Sequence, residues 1–280
     1  MKLIFDAGSS SISYAVISPD TTPSIHSLSH GHNAASAPEG ALAGMISDDS
    51  HLSSLAKTVS EIDFYGAGCA GKGACARTRD ELTSVFTSAS VKVMSDMECA
   101  ARALCGTDRG IACILGTGAN SCLWDGMKIT ANVSPLGYIL GDEGSGAVMG
   151  RLFLGMLFKG QLPQTTYERF TERYRLTSGD IVQRVYRGER PNAFLASFAP
   201  FILEEASTTT EVRDLVIGEF RRFLRCNVAA YPEASSLPVS FVGSIAWYFR
   251  QFLAEALMAE RLRCGRIMRS PLPALAGIEE

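Results

Sequence analysis

The chain has no Cys-x-x-Cys pair, no G-x-x-x-x-G-K-S/T loop, no G-x-S-x-G elbow and no apolar run of membrane-spanning length. Each absence closes a route. Without paired cysteines, a zinc ribbon or an iron–sulfur site has no ligands at the usual spacing. The missing lysine loop excludes a P-loop protein. The missing elbow, with no histidine near a plausible serine nucleophile, argues against a serine hydrolase. Excess positive charge is absent too: 26 Lys and Arg stand against 29 Asp and Glu, a net charge of −3. The densest basic spots, Arg221-Arg222 and Arg261, Arg263 and Arg266, read as solvated helix faces, so a nucleic-acid partner is not expected. Histidine is scarce, with four residues (26, 30, 32 and 51), and His30-Gly31-His32 lacks supporting metal ligands at fixed spacing. The N-terminus opens directly on a strand pattern, without the charged and apolar regions of a secretory signal. Together with cysteines that lie inside apolar patterns, where reduced Cys is a small hydrophobe, this leads us to expect a reduced cytoplasmic protein with no membrane partner.

What is present is an ordinary globular composition: 280 residues, 46% hydrophobic and 20% charged, enough for one large or two modest domains. The most telling stretch is Cys113-Ile-Leu-Gly116-Thr117-Gly118-Ala119-Asn120-Ser-Cys122, two apolar strands joined by a turn offering hydroxyls and backbone N–H groups. Glycine is the residue that lets backbone approach a phosphate this closely. The N-terminus repeats the design. Lys2 to Asp6 reads as a strand, Ala7-Gly8-Ser9-Ser10-Ser11 as a small polar turn, and Ile12 to Ile17 as a second strand. Two such hairpins suggest two lobes gripping one polyphosphate.

Between them, Thr21 to Asp49 is polar and loop-like, Glu61 to Cys69 is a strand ending in glycines, and Asp80 to Ser88 is a short helix. Val91 to Met94 is a brief strand before a helix from about Met97 to Cys105, with Ser95 as N-cap and Glu98 completing a capping box. Met127 to Val133 is a further strand. Gly141-Asp142-Glu143-Gly144-Ser145-Gly146 enters a helix reaching roughly Lys159, whose apolar residues recur three and four apart. Gln164 to Tyr231 is helical, Pro238 to Val242 is a late strand, and Gly243-Ser244 opens a long amphipathic helix. The fold class is α/β.

Four places carry chemistry. Asp6 ends a strand at its own glycine turn, where a carboxylate suits Mg²⁺ or simply bonds the turn backbone. Asp96 sits at a helix start, whose dipole and N–H groups keep a carboxylate ionised; it is either a base that accepts a hydroxyl proton or a cap. Asp142 can bond polyol hydroxyls, with Glu143 as a first-turn dipole partner. Val242-Gly243-Ser244-Ile245 leaves room for a base or ribose. Gly66-Ala-Gly68-Cys-Ala-Gly71 has dinucleotide-binding spacing, but Lys72-Gly-Ala-Cys75 opens no clear helix, so that reading is set aside.

In this order, Phe5-Asp6-Ala-Gly8-Ser9-Ser10, Leu115-Gly-Thr-Gly-Ala-Asn-Ser121, Gly141-Asp-Glu-Gly-Ser145 and Val242-Gly-Ser-Ile245 resemble the BadF/BadG/BcrA/BcrD-type ATPase family. Within it they resemble the N-acetylglucosamine kinase-like branch, in the actin, hexokinase and heat-shock ATPase superfamily. The resemblance covers nearly the whole chain. It implies a two-lobed, ribonuclease H-like fold closing over Mg²⁺ and ATP, with a sugar deep in the cleft. The implied N-terminal lobe is 1–106 joined by 268–280, and the C-terminal lobe is 107–267. Asp96 would be the catalytic base and Asp6 the metal ligand. Gly8, Ser9, Ser10, Gly116, Thr117 and Gly118 would cradle the phosphates. Asn33, Ala119, Asn120, Gly137 and Asp142 would face the sugar, and Gly243 and Ser244 the adenosine. A homodimer through the helical lobe is compatible with the family. Two departures stand out: Ser11 where a cation is usual, and Ser134-Pro135-Leu136-Gly137 where acetylglucosamine kinases tend to have Gly-Gly-Trp-Gly. Two other readings remain open, an ATPase that drives a partner redox enzyme and a sugar- or nucleotide-binding sensor without catalysis.

Overall fold

The computed structural model describes residues 1–278 and divides them into two compact units, Met1–Gly106 with the segment that begins at Ser270, and Thr107–Arg269. In the first unit, β1 (Lys2–Ala7), β2 (Ile12–Ser18), β3 (Thr21–Leu28), β4 (Glu61–Gly66) and β5 (Ser90–Ser95) form one sheet in the order β3-β2-β1-β4-β5. β2 pairs antiparallel with both β1 and β3, whereas β1, β4 and β5 run parallel. The parallel strands are joined by α1 (Ala41–Asp48) and α2 (Ser50–Leu55), then by α3 (Lys72–Val85); α4 (Asp96–Cys105) follows β5 directly. The alternation of side chains along β1 and β4 sends Leu3, Phe5 and Phe64 into one apolar layer with Leu42, Ile46 and Leu82, and Ile4 and Tyr65 into another with Cys99. A sheet covered on both faces needs near-continuous apolar strands, which is how Leu3 to Phe5 of β1 and Phe64 and Tyr65 of β4 read.

The second unit repeats this plan. β6 (Gly110–Leu115), β7 (Ala119–Trp124), β8 (Ile129–Val133), β9 (Val239–Val242) and β10 (Cys264–Met268) are ordered β10-β9-β6-β7-β8, with antiparallel β6-β7 and β7-β8 and parallel β6-β9 and β9-β10. Position for position the two sheets match. A helical body lies between β8 and β9. It comprises α5 (Gly137–Leu140), α6 (Gly146–Phe158), α7 (Gln164–Tyr174), α8 (Ser178–Arg187), α9 (Pro191–Ala196), α10 (Ala199–Ala206) and α11 (Thr210–Phe223), the last running into a π-helical turn at Leu224–Val228. α12 (Ser244–Tyr248) and α13 (Arg250–Ala259) connect β9 to β10. The core is rich in phenylalanine: Phe153, Phe170, Phe198, Phe201, Phe220, Phe241 and Phe249 are buried together. Each such ring contributes about 1.5–3 kcal/mol relative to leaving it exposed. The chain then returns to the first unit through α14 (Leu272–Leu275), where Leu272 is fully buried among Ile4, Ala15, Tyr65 and Cys99.

The α/β class stands, and several element readings are corrected. The loop-like Thr21 to Asp49 contains β3 and α1; β3 is an edge strand with Thr21, Thr22, Ser24 and Ile25 exposed, so it lacks the buried face that marks a strand in sequence. The short helix at Asp80 to Ser88 is the second half of α3, which begins at Lys72, so that segment does open a helix. The long helix after Gly243 is broken at Phe249, and the strand placed at Met127 starts at Ile129, because Asp125 accepts the backbone N–H groups of Met127 and Lys128 in a turn. Arg261, Arg263 and Arg266 do not form a helix face: Arg261 and Arg263 lie in the turn after α13, and Arg266 lies on β10. Ser95 caps α4 by accepting the Glu98 N–H at 3.2 Å, but the Glu98 carboxylate accepts from Arg102, a helical turn away, instead of closing a capping box. No helix of the described residues is long and apolar enough to cross a membrane.

Candidate functional site

In the first unit the turn between β1 and β2 is closed by the Gly8 N–H donating to Ser11 O at 2.9 Å. The loop after β3 lies directly against it. The His32 N–H donates to Gly8 O at 3.0 Å, and Asn33 Nδ2 donates to Ser9 Oγ at 3.2 Å. Asn33 Oδ1 in turn accepts the Ala35 N–H at 3.0 Å, and Ala34 N–H donates to Ala67 O at 2.9 Å. Asn33 therefore joins the first turn to the Gly66–Gly68 bend. A Cβ on Gly68 would lie 2.3 Å from Asn33 Oδ1, and its φ is +79°. This bend needs glycine to approach Asn33, a different use from the one its G-x-G-x-x-G spacing suggests.

Two carboxylates mark the ends of parallel strands in this unit. Asp6 is the penultimate residue of β1, and Asp96 opens α4 immediately after β5. Burial pushes the Asp6 carboxyl up to about 7, and the negative charge of Asp96 adds to the shift. Asp96 is itself raised by burial, against the opposing hydrogen bond from Met97 N–H to its Oδ1 at 2.8 Å. Desolvation thus outweighs the hydrogen bonds at the helix start and raises the Asp96 carboxyl above its ordinary value. Two desolvated carboxylates of like charge fit a divalent cation, which relieves both burial and repulsion.

The second unit builds its turn differently. Gly116 N–H donates to Gly118 O at 2.9 Å, and the carbonyls of Gly116 and Thr117 accept from Gly146 N–H at 2.9 Å and Ala147 N–H at 3.1 Å. The first turn of α6, capped by Ser145 at the Val148 N–H, therefore supports this turn directly. Asp142 closes the arrangement. Its Oδ1 accepts the Ala119 N–H at 3.2 Å, and a Cβ on Gly118 would lie 3.1 Å from its Oδ2. Asp142 has a left-handed backbone (φ 51°), which Asp tolerates better than most residues. Burial raises it to about 6, with the Glu143 charge adding and the Ala119 bond opposing.

The remaining predicted residues lie nearby in the same unit. Asn120 Oδ1 accepts the Ser121 N–H and Asn132 Nδ2, each at 2.9 Å. Gly137, with φ 72°, starts α5, and Pro135 O accepts the Asp142 N–H at 2.9 Å, so the Pro135 loop is pinned at the base of Asp142. Gly243 (φ +121°) precedes Ser244 at the start of α12, and a Cβ there would lie 2.4 Å from Leu115 O. Gly243 thus seats the β9–α12 turn on the end of β6.

The structure therefore groups Asp6, Gly8, Ser9, Ser10, Asn33 and Asp96 within the first unit, and Gly116, Thr117, Gly118, Ala119, Asn120, Gly137, Asp142, Gly243 and Ser244 within the second. Sequence reading missed the braces: Gly31 and Gly68 around Asn33, and the α6 N–H groups under Gly116. Only the positions of Gly31 beside His32-Asn33, and of Gly146 after the acidic pair, hinted at them.

No family model matches this chain, and no curated protein matches it. Solved structures do. A protein described as a putative N-acetylglucosamine kinase from Porphyromonas gingivalis is 40% identical, with a TM-score of 0.93 over 99% of this chain and 98% of that one. Another so described, from Chromobacterium violaceum, is 17% identical, with a TM-score of 0.70 over 98% of this chain and 97% of that one. The hexokinase of Schistosoma mansoni, solved with glucose, is 14% identical, with a TM-score of 0.50 over 98% of this chain and 84% of that one. The last two share the fold.

Proposed function

The chain belongs to the N-acetylglucosamine kinase-like family that includes the Porphyromonas gingivalis protein, and we propose that it transfers the γ-phosphoryl group of ATP to a hydroxyl of an amino sugar, with N-acetylglucosamine the first acceptor to test. The finer placement, in the BadF/BadG/BcrA/BcrD-type ATPases, rests on the four motifs. The observation that carries the reading is the pair of desolvated carboxylates, Asp6 and Asp96, at the strand ends beside a braced glycine-serine turn.

Asp96 is the base. Raised by burial, its carboxylate is a stronger proton acceptor than an exposed one, and it takes the proton of the acceptor hydroxyl as that oxygen forms its bond to the γ-phosphorus. The bond to the bridging oxygen of ADP breaks in line, and catalysis is mostly positioning and charge neutralisation. Asp6 is the residue suited to hold Mg²⁺; when bound, the ion neutralises charge on the phosphate oxygens. Gly8, Ser9 and Ser10, and likewise Gly116, Thr117 and Gly118, offer backbone N–H groups and hydroxyls to the phosphates. Asn33, Ala119, Asn120, Gly137 and Asp142 orient the sugar, and Gly243 with Ser244 accommodates the adenosine. The lobes proposed are 1–106 with 268–280, and 107–267. The eight cysteines, none of them in a disulfide among the described residues, suit a reducing, cytoplasmic setting, and a homodimer completes the proposal.

The test is ADP release from Mg·ATP with a panel of amino sugars and hexoses, against a control without sugar. Sugar-dependent release with one clear winner is expected. Release without sugar dependence overturns the kinase reading in favour of a partner-driving ATPase, and no release favours a sensor.

A further inference from the structure

The loop after β3 holds the first turn with no slack. A Cβ on Gly31 would lie 2.4 Å from Ser9 C and 2.5 Å from both Ser10 C and Ser10 N, so Gly31 is pressed flat on the Ser9–Ser10 peptide. The adjoining His32 is buried, 5% exposed, and its N–H is committed to Gly8 O. Asn33 follows with its amide engaged at both ends, Nδ2 to Ser9 Oγ and Oδ1 to Ala35 N–H, while Gly68 packs against the amide. Arg77, on α3, donates to Ala34 O and ties this loop to the helix. An Asn amide has two donors and two acceptor lone pairs. Among the described residues those two bonds use one of each, which leaves one N–H and one lone pair for an acceptor hydroxyl.

We propose that Asn33 is a positioning residue that couples the acceptor sugar to the phosphate turn: a sugar hydroxyl on its second N–H and the Ser9 hydroxyl on its first share one rigid amide plane. This rests on the functional reading above. The amide is planar, so a sugar that fixes its orientation fixes the Ser9 hydroxyl with it. The close seat of Gly31 keeps the Ser9–Ser10 peptide from relaxing independently. Sugar binding then orders the turn that meets the nucleotide, and by linkage the nucleotide strengthens sugar binding by the same factor. Ser9 is the relay in this scheme, distinct from any role of its own hydroxyl toward phosphate.

The experiment is calorimetric titration of the full chain with a magnesium-bound, non-hydrolysable imido analogue of ATP, with and without saturating N-acetylglucosamine. One hydrogen bond contributes about 0.5–1.5 kcal/mol net, so a coupling of roughly two- to tenfold tighter nucleotide binding with sugar is expected in the unaltered protein. Ser9→Ala brings that factor close to one, and Ser9→Thr, which keeps the hydroxyl, restores it. A merely structural role for Ser9 lowers nucleotide affinity equally with and without sugar, leaving the factor unchanged; that result overturns the proposal. A factor of one in the unaltered protein, with both ligands bound, also overturns it while leaving the kinase reading intact. A chain that binds no amino sugar at all overturns both.

Discussion

The two glycine turns occupy the same place in two sheets of the same order, yet one is built around charge and the other around backbone. In the first, Asp6 is the penultimate residue of β1, paired across the hairpin with Ser13; in the second, the matching position on β6 is Ile114, paired with Asn120. The first turn leans on a neighbouring loop through Gly31, His32 and Asn33. The second leans on the opening N–H groups of α6, with Asp142 as a carboxylate anchor. A shared topology therefore fixes where a turn sits but not what it does. On the proposed reading, cation and proton chemistry fall to the first unit, while the second turn supplies mainly backbone hydrogen-bond donors, with Asp142 beside it.

The largest effect expected from this comparison lies at Asp96. Asp96→Ala should lower kcat by about 10²–10⁴-fold, the usual contribution of general base catalysis, while the affinity for a non-hydrolysable ATP analogue changes only a few-fold. Equal loss of turnover and of nucleotide binding would remove the base assignment. Asp142→Ala, acting on the other turn, should raise the sugar KM about tenfold with a smaller change in kcat, as expected for lost ground-state binding. An unchanged KM would take Asp142 out of the sugar pocket.

Asp6 gives a signature in stability as well as activity. Its carboxyl is raised from 3.8 to about 7 in the fold, so the native state keeps a proton that the unfolded chain releases. That stabilisation is complete below pH 3.8 and is lost as pH rises through about 7. Asp6→Asn should therefore make the ligand-free protein more stable at pH 8, by roughly 1–3 kcal/mol, and flatten this part of the Tm-against-pH curve. A curve that stays parallel to the parent's would show that Asp6 is not the titrating group. Placing the same charge in the other turn should do the reverse: Ile114→Asp is expected to cost roughly 1–3 kcal/mol without creating a metal requirement. If that variant gains a Mg²⁺ site at its second turn, the asymmetry between the turns is not set by this position.

The smallest expected change concerns pH and rate. With Asp6 at about 7, Asp142 at about 6 and Asp96 also raised, kcat/KM should climb from pH 5.5 to 8 as the carboxylates ionise, the apparent values on the acid limb belonging to the Asp6–Asp96 pair jointly. A flat profile over that range would mean that none of these groups needs to lose its proton for turnover.

Much of the plan was legible because glycine turns and apolar strands speak locally. The hairpins at Gly8 and Gly116, the entrance to α6 and the strand before Gly243 follow from residue type and spacing alone. The errors arise where local signals are weak or are overruled at a distance. β3 carries a polar edge-strand composition, and only its pairing with β2 makes it a strand. β10 is short and carries an arginine, and becomes a strand by parallel pairing with β9. The helix start at Asp96 is visible in sequence, whereas the burial that raises its carboxyl depends on elements far along the chain. The clasp of Gly31 on Ser9 and Ser10 leaves only the hint of a glycine beside His32-Asn33, since a glycine between two histidines looks much like any loop.

The return of the chain through α14 has a consequence for how the molecule is made. Leu272 completes the layer formed by Ile4, Ala15, Tyr65 and Cys99, residues that leave the ribosome long before it does. The first unit therefore emerges with this layer only partly covered, by α4, and it stays incomplete while the whole of the second unit is synthesised. Contacts of such long sequence separation close late and slow folding. The nascent first unit, with that part of its apolar layer still open, is the stage at which the protein is most open to chaperone capture or aggregation. Removing the segment from Ser270 onward should accordingly harm the yield of soluble protein far more than its short length suggests.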